Sequence, residues 1–427
     1  MVLGLADNRF VGRSSQRKLL ALILAGSVVR LAWSATTPGF GFDITSYRLA
    51  ARTLLEHGLG FYGAVNPAGI VRWPYPPGYL PWTLAAHALA PVAPFRFVVA
   101  LPAIAADAAL AFLVARGLAR RGASETASLG AACLVAFGPI FALTSGYHGQ
   151  IDALAILPAV IAFDRWERGG ASRAVTAGAL IGLAASIKTP VGLVLLALLP
   201  TARDPREAGR LIAAAAAPVA VMLAPFALAA PTATLHALNF AGVPGEGGLS
   251  LVLQPSLSRL FVGSPLGVRA SGATLLLHDH GALLVAALLA AVAGSAWRRK
   301  AAPGPTVVAL LLTVFAFGAG FAPRYAIWLL PFLLVDGRLR AALCLQLALL
   351  GPVLAVYAGP LRTQFLLDAY VIAGIAIWAA LVVWWLRSVG SLIRSPQRST
   401  RSGRPTLPWS STARTDTLVP VAGTDTA

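Results

Sequence analysis

The sequence predicts an all-α polytopic membrane protein of about twelve transmembrane helices, within a range of about ten to thirteen. Three observations carry that prediction. Charged residues make up 12% of the 427-residue chain and hydrophobic ones 57%, whereas a soluble domain carries roughly 25% charged residues. Mean hydropathy is +0.75, and apolar runs recur along almost the whole length instead of gathering in one segment. The basic residues, finally, fall between alternate runs. A net charge of +18 could suggest nucleic acid, but no single domain collects it; the spacing is that of loops on the cytoplasmic side of a membrane.

The apolar segments fall near residues 19–35, 97–115, 128–145, 151–163, 174–187, 191–199, 211–230, 275–296, 307–321, 326–335, 341–357 and 366–385. Several are shorter than the roughly 17–25 residues that a span needs, so they borrow flanking residues, break, or sit in a thinned bilayer. Arg30 interrupts the first run and many spans follow, so it reads as a retained helix rather than a cleaved signal. With the N-terminus inside, the inner segments receive most of the 34 basic residues, including Arg9, Arg13, Arg17 and Lys18, the Arg116–Arg121 and Arg203–Arg210 clusters, and the arginines beyond Arg387. The 191–199 run must cross for Arg203–Arg210 to lie inside. This orientation predicts a multi-pass protein of the cell membrane with both termini cytoplasmic.

Two outer connections are long, 36–96 and 231 to about 274, and loops of that length are usually functional or disordered. In the first, "DITSYRLAARTLLEHG" puts Ile44, Tyr47, Ala51, Leu54 and Leu55 on one face and Arg48, Arg52 and Glu56 on another, the pattern of an amphipathic helix on the membrane surface. Residues 79–93 read as a second such helix; if they spanned, every downstream side would invert. "GLGFYG" at 58–63 lacks a preceding strand and reads as a helix stop and turn, not a dinucleotide loop. The domain organisation is a membrane domain over 1–388 and a disordered cytoplasmic tail over 389–427, rich in Ser, Thr, Arg and Pro. Cys133 and Cys344 lie in apolar runs as small hydrophobes.

Polar residues outside the basic loops collect on the outer side. Asp43 precedes the surface helix, "WPYPPGYLPW" (73–82) follows it, and "GYHGQID" (146–152) joins the third and fourth spans. Lys188 ends the fifth span, and "APRYAIW" (322–328) joins the ninth and tenth. A charge at bilayer depth costs roughly 2.5–3.5 kcal/mol on insertion scales, so His148, Gln150 and Asp152 read as part of a cavity at the outer face. His148 and Asp152, four apart, share a face if a helix begins there. Each residue also has a bland reading: Asp152 as a helix N-terminal charge, Asp43 as a cap, Lys188 as a snorkelling lysine, Arg324 and Tyr325 as interface anchors. The tyrosines and tryptophans of "YPPGY" and its flanks offer flat faces for a sugar ring or for the interface. "LHDH" (277–280) has two histidines only two apart and reads as an interfacial patch rather than a metal site. Asp107, the deepest acid, is either a hydrogen-bonded structural group or a transport site.

In this order, these residues resemble the GT-C superfamily of polytopic glycosyltransferases that use polyprenyl-phosphate sugars, and within it the bacterial mannosyltransferase-like members. The resemblance rests on "GFDITSYRLAARTLLEHGLGFYG…YPPGY", with "HGQIDAL", "SIKTPVGLVLLALLP" and "PRYAIWLLPF" as weaker blocks. It implies an active site at the extracytoplasmic face, with Asp43 as catalytic base. Asp152 matches a second acid, and Lys188 and Arg324 match the groups that bind the lipid phosphate. Tyr47, Tyr75, His148, Gln150 and Tyr325 complete the substrate-binding set. The implied partners are a polyprenyl-phosphate sugar donor, a lipid or glycan acceptor and membrane lipids, with no nucleic acid. The second acid stands alone and no large soluble domain follows, both unlike metal-dependent oligosaccharyl members, so no cofactor and no obligatory metal are expected. A phosphate leaving group is stabilised by cations, one carboxylate can deprotonate the acceptor, and a single displacement inverts the anomeric centre. The competing readings are a transporter or lipid flippase built on Asp107, and a non-enzymatic membrane assembly factor.

Overall fold

The computed structural model describes residues 13–66, 71–239, 242–258, 269–358 and 364–394. Helices make up the architecture, and no strand occurs among the described residues. Among the described residues, seven helices are long and apolar enough to cross a membrane. They are α1 (Arg13–Thr36), α4 (Phe95–Arg120), α5 (Glu125–His148), α9 (Pro205–Ala229), α11 (Gly272–Arg299), α14 (Leu339–Tyr357) and the apolar part of α15 (Gln364–Arg394). Between them lie α6 (Asp152–Arg168), α7 (Arg173–Ile187), α8 (Thr189–Thr201), α12 (Pro303–Phe317) and α13 (Pro323–Val335). These twelve coincide with the twelve apolar runs of the sequence, and the five short ones are those expected to be broken or incomplete.

The breaks have local causes. Prolines at the first positions of α8 and α13 set tight 3-10 turns before each becomes α-helical. Segment α5 stops at Ala136, restarts at Pro139 and ends in a π-helical turn, Ala142–His148. Side chains cap three of the starts among the described residues: Ser124 accepts from the Ala127 amide, Asp204 from Glu207 and Ser271 from Thr274.

Helix α2 (Gly41–His57) buries Asp43, Ile44, Ser46, Tyr47, Ala50, Ala51 and Thr53. The expected apolar face is therefore present, shifted so that Leu55 is exposed with Arg48 and Arg52. Gly58, at φ +52°, stops α2 and Phe61–Val65 makes a short turn of helix, so "GLGFYG" is a stop and turn. Helix α3 (Leu80–Ala88) has 9 residues. At 1.5 Å per residue it is about 14 Å long, half of what a span requires, so residues 79–93 do not cross.

Close helix packing depends on small residues. Helices α7 and α9 meet at "GALIG" (178–182), where an added Cβ would lie 2.4 Å from the Leu211 carbonyl at Gly178 and 2.2 Å from the Ala215 carbonyl at Gly182. Such small-xxx-small stripes let helix backbones touch inside a membrane. Helix α15 continues through 389–394; the rest of the expected tail, Arg9, and the tail arginines beyond 394 lie outside the described residues.

Two buried arginines knit α1, α4 and α5 together. Arg30 Nε donates to Asp107 Oδ2 at 2.8 Å, while its terminal nitrogens donate to the carbonyls of Gly26 (3.0 Å), Ala136 (2.5 Å) and Val135 (2.7 Å). Asp107 is thus the structural partner of Arg30, and the carbonyls freed where α5 breaks at 136 find their donors there. Arg96 donates to the carbonyls of Trp33 (3.0 Å), Ser34, Gly146 (3.2 Å) and Tyr147 (2.5 Å), and to Thr37 Oγ1 (2.9 Å). One planar guanidinium therefore ties the end of α1 to the π-helical turn.

Candidate functional site

The first part of the site is made by that π-helical turn. A π turn widens the helix and leaves carbonyls without their usual donors, a form frequent at functional sites. Gly149, at φ +81°, then reverses the chain so that Gln150 points back and α6 begins at Asp152. His148 and Asp152 accordingly do not share a helix face: the reversal at Gly149 sends them to different partners. His148 Nε2 bonds Asp43 Oδ2, and Gln150 Nε2 donates to the same oxygen at 2.6 Å. Tyr47 OH, one turn along α2 from Asp43, donates to Gln150 Oε1 at 3.0 Å. Asp43 Oδ1 accepts no hydrogen bond from the described residues, and Asp43 keeps 8% of its exposure. Burial pushes the Asp43 carboxyl up, but the charges of His148 and Arg324 and the bonds from His148 and Gln150 outweigh it and hold the group at about 2.

The second part centres on Lys188, where α7 ends. Its Nζ lies 2.5 Å from Asp152 Oδ1, which also accepts from Trp328 Nε1 at 2.6 Å. Three rings wall the ammonium, those of Tyr75 (5.2 Å), Tyr325 (4.9 Å) and Trp328 (5.2 Å). The "YPPGY" turn reaches this place because Gly78 lies against the Ser186 carbonyl, where an added Cβ would stand at 2.4 Å. The turn thereby sets Tyr75 over Lys188 two residues farther on.

Of the third part, the sequence marks Arg324 but not its partners. Arg324 Nη1 donates to Glu246 Oε1 at 3.0 Å and contacts Tyr357 OH, which itself bonds Glu246 Oε1. Tyr370 OH donates to the Glu246 backbone carbonyl. Glu246 comes from the second long connection, just before α10 (Gly248–Leu253), and Tyr357 from the π-helical end of α14. The length of that connection was a signal, but it did not single out a residue.

Ring contacts join the three parts. His148 packs on Tyr357 at 4.5 Å and on Phe40 at 4.8 Å; Arg324 lies over Tyr325 at 5.0 Å; and Tyr325 stacks on Trp328 at 4.4 Å. Tyr47, Trp73 and Tyr75 continue the wall, with neighbouring centroids 6.1 and 5.5 Å apart. All nine residues singled out in the sequence therefore meet in one cluster. Asp107 does not join them, and in "LHDH" both Asp279 and His280 are exposed.

The cluster holds three acids (Asp43, Asp152, Glu246), two fixed cations and an imidazole, walled by aromatic faces. That combination can orient a hydroxyl-rich ring and offer both a base and cations to a transfer reaction. A model of glycosyltransferase family 87 matches residues 73–319, more than half of the chain. The chain belongs to glycosyltransferase family 87. This is an integral membrane glycosyltransferase family of GT-C type, as the resemblance of the sequence blocks implied. No curated protein matches the chain. The matched stretch holds "YPPGY", His148–Asp152, Lys188 and Glu246, while Asp43 lies before it and Arg324 after it. A membrane glycosyltransferase is therefore the coarse function, and the transporter and assembly-factor readings give way to it. The one acid on which a transporter rested is bound to Arg30.

Proposed function

We propose that this family 87 glycosyltransferase moves a hexose, mannose-like, from a polyprenyl-phosphate sugar to a lipid or glycan acceptor at the extracytoplasmic face of the cell membrane. The observation that carries the proposal is the convergence on one end of the bundle of a carboxylate with one free oxygen, an ammonium and a guanidinium. Sugar transfer on that side needs a donor carried across on lipid, so the leaving group is a phosphate. Lys188 and Arg324 are the cations available to its developing charge.

In this reading Asp43 is the base. His148 and Gln150 hold its Oδ2, which leaves Oδ1 to take the acceptor's hydroxyl proton as the new glycosidic bond forms and the bond to phosphate breaks. The displacement is a single one, so the anomeric centre inverts. His148 and Gln150 position the base; Asp152 positions Lys188. Tyr47 supports Gln150, and Tyr75 and Tyr325 offer faces to the sugar. The three acids face cations or an imidazole rather than one another, which favours a displacement without a metal.

The test is transfer from a synthetic polyprenyl-phosphate mannose by purified protein in lipid nanodiscs. Asp43→Asn is expected to lower kcat by about 10²–10⁴ with the donor still bound. Near-normal turnover would remove Asp43 from the reaction.

A further inference from the structure

We propose that Glu246 is a resident anion that occupies the phosphate position on Arg324, so that donor binding displaces Glu246 and its loop. The inference rests on the reading of Arg324 as a phosphate holder and adds what must happen for that role to be possible.

The argument begins with charge. Each cation of the site already has its own acid: Lys188 is paired with Asp152 and Arg324 with Glu246. Asp43 adds a third carboxylate beside His148. All of these groups are buried. A phosphodiester brings one further negative charge, and the phosphate monoester released after transfer brings nearly two. Burying that charge among three carboxylates and two matched cations is opposed by like-charge repulsion at low dielectric. One acid has to withdraw for a cation to become available.

Geometry selects which one. Asp152 opens α6, fully buried, with Lys188 and Trp328 on one oxygen. Asp43 is set in the first turn of α2 and held by two side chains. Glu246 alone stands on an irregular segment, among glycines at positive φ: Gly242 (+90°), Gly245 (+87°) and Gly248 (+69°). Its neighbours at Gly247 and Gly248 lie against residues 318–321 so closely that an added Cβ would meet backbone oxygens at 2.3 and 2.9 Å. This is backbone-to-backbone contact, joined by the Tyr370 hydroxyl on the Glu246 carbonyl and by the Ser250 hydroxyl, which accepts from the Gly245 amide.

The surroundings of the Glu246 carboxylate also suit the proposed replacement. One oxygen takes both the Arg324 guanidinium and the Tyr357 hydroxyl, the pair of donors that a phosphoryl oxygen would use. Arg324 is 8% exposed, and its Nε is buried without a hydrogen-bond partner. Glu246 and Tyr357 both engage Nη1, so the guanidinium retains a donor for a second phosphoryl oxygen. A residue placed only to orient Arg324 would be expected to use that Nε as well.

The experiment measures binding of farnesyl phosphate to the full-length protein in nanodiscs, for the wild type, Glu246→Gln, Glu246→Asp and Arg324→Gln. Glu246→Gln keeps the side chain's size and removes its charge; it is expected to bind about tenfold tighter. Glu246→Asp is expected to stay near the wild type, and Arg324→Gln to lose binding. Hydrogen exchange in 242–258 should rise when farnesyl phosphate is added to the wild type. If Glu246→Gln binds more weakly or equally well, or if 242–258 becomes protected on binding, displacement is overturned while the phosphate-lipid donor stands. If no protein in the set binds farnesyl phosphate, the donor class falls and displacement falls with it.

Discussion

Lys188 Nζ lies 2.5 Å from Asp152 Oδ1, with both side chains buried and Trp328 Nε1 on the same carboxylate oxygen. Removing one member of such a pair leaves an uncompensated buried charge, which costs about 3–5 kcal/mol, whereas removing both can be nearly neutral. Lys188→Met and Asp152→Asn are each expected to lower the thermal midpoint sharply, and the double variant to recover most of it. All three should lose sugar transfer, since Lys188 is absent or misplaced in each. A double-mutant cycle on thermal unfolding in nanodiscs, with transfer assayed on the same samples, checks both statements.

The Asp43 carboxyl is held at about 2, below the usual aspartate value of 3.8, so the sign of its pH dependence is fixed. The depressed group contributes stability that is fully present above pH 3.8 and is lost as pH falls through about 2. At every pH where the membrane remains intact the base is ionised. An acid limb in kcat/KM between about pH 5 and 7 therefore belongs to another group. The expected profile keeps an acid limb in Asp43→Glu while overall turnover falls. Loss of the limb with this substitution would show that Asp43 titrates there; a shift alone would mark His148, which is bonded to Asp43.

Asp107 tests the division between scaffold and site. It is bonded to Arg30, whose other nitrogens hold carbonyls of α1 and α5. Asp107→Asn is expected to cost about 3–5 kcal/mol of stability through the unmatched guanidinium, with turnover per folded molecule within about twofold of the wild type. Thermal unfolding and transfer rates measured on the same preparation separate the two effects. A large fall in turnover without loss of stability would place Asp107 in the reaction.

These residues also explain what could be read from the sequence. Asp43, His148, Gln150, Asp152 and Lys188 stood out because an apolar chain leaves few reasons for polar side chains, and the alternation of basic loops put them on one side. The twelve apolar runs were legible for the same reason. Glu246 and Tyr357 were not. Glu246 sits among glycines with no periodicity, and Tyr357 is one aromatic at the end of an apolar run. Only the fold brings them to Arg324, from 78 and 33 residues away. Spacing of four puts His148 and Asp152 on one face only if a helix begins there, whereas Gly149 at φ +81° reverses the chain and α6 starts at Asp152. Asp107 was ambiguous because its partner, Arg30, is 77 residues distant.

Arg96 gives a prediction about positioning. Its guanidinium reaches four carbonyls and one hydroxyl, and two of those carbonyls, Gly146 and Tyr147, immediately precede His148. A lysine has one nitrogen and cannot span that set. Arg96→Lys is expected to cost about 1–3 kcal/mol through carbonyls left unpaired and to lower kcat more than it changes donor KM, because the π-helical turn no longer fixes His148 against Asp43. Steady-state kinetics beside thermal unfolding check this. A loss of stability with kcat intact would mean that the turn holds its shape without Arg96.

Gly182 links helix packing to the chemistry. It lies on α7 six residues before Lys188, and an added Cβ would stand 2.2 Å from the Ala215 carbonyl of α9. Backbone oxygen cannot yield as a flexible side chain can, so Gly182→Ala must push the two helices apart. Overpacking of this kind costs about 1–3 kcal/mol. The shift is carried along α7 to its end, where Lys188 meets Asp152, so turnover should fall together with stability. Gly209 on α9 provides the control, because nothing lies within 4 Å of its added Cβ. There an alanine removes helix-breaking freedom and is expected to stabilise by about 0.5–1 kcal/mol with turnover unchanged. If Gly182→Ala behaved like Gly209→Ala, the contact between α7 and α9 would have no part in setting Lys188, and the ammonium would have to be held by Asp152 and the three rings alone.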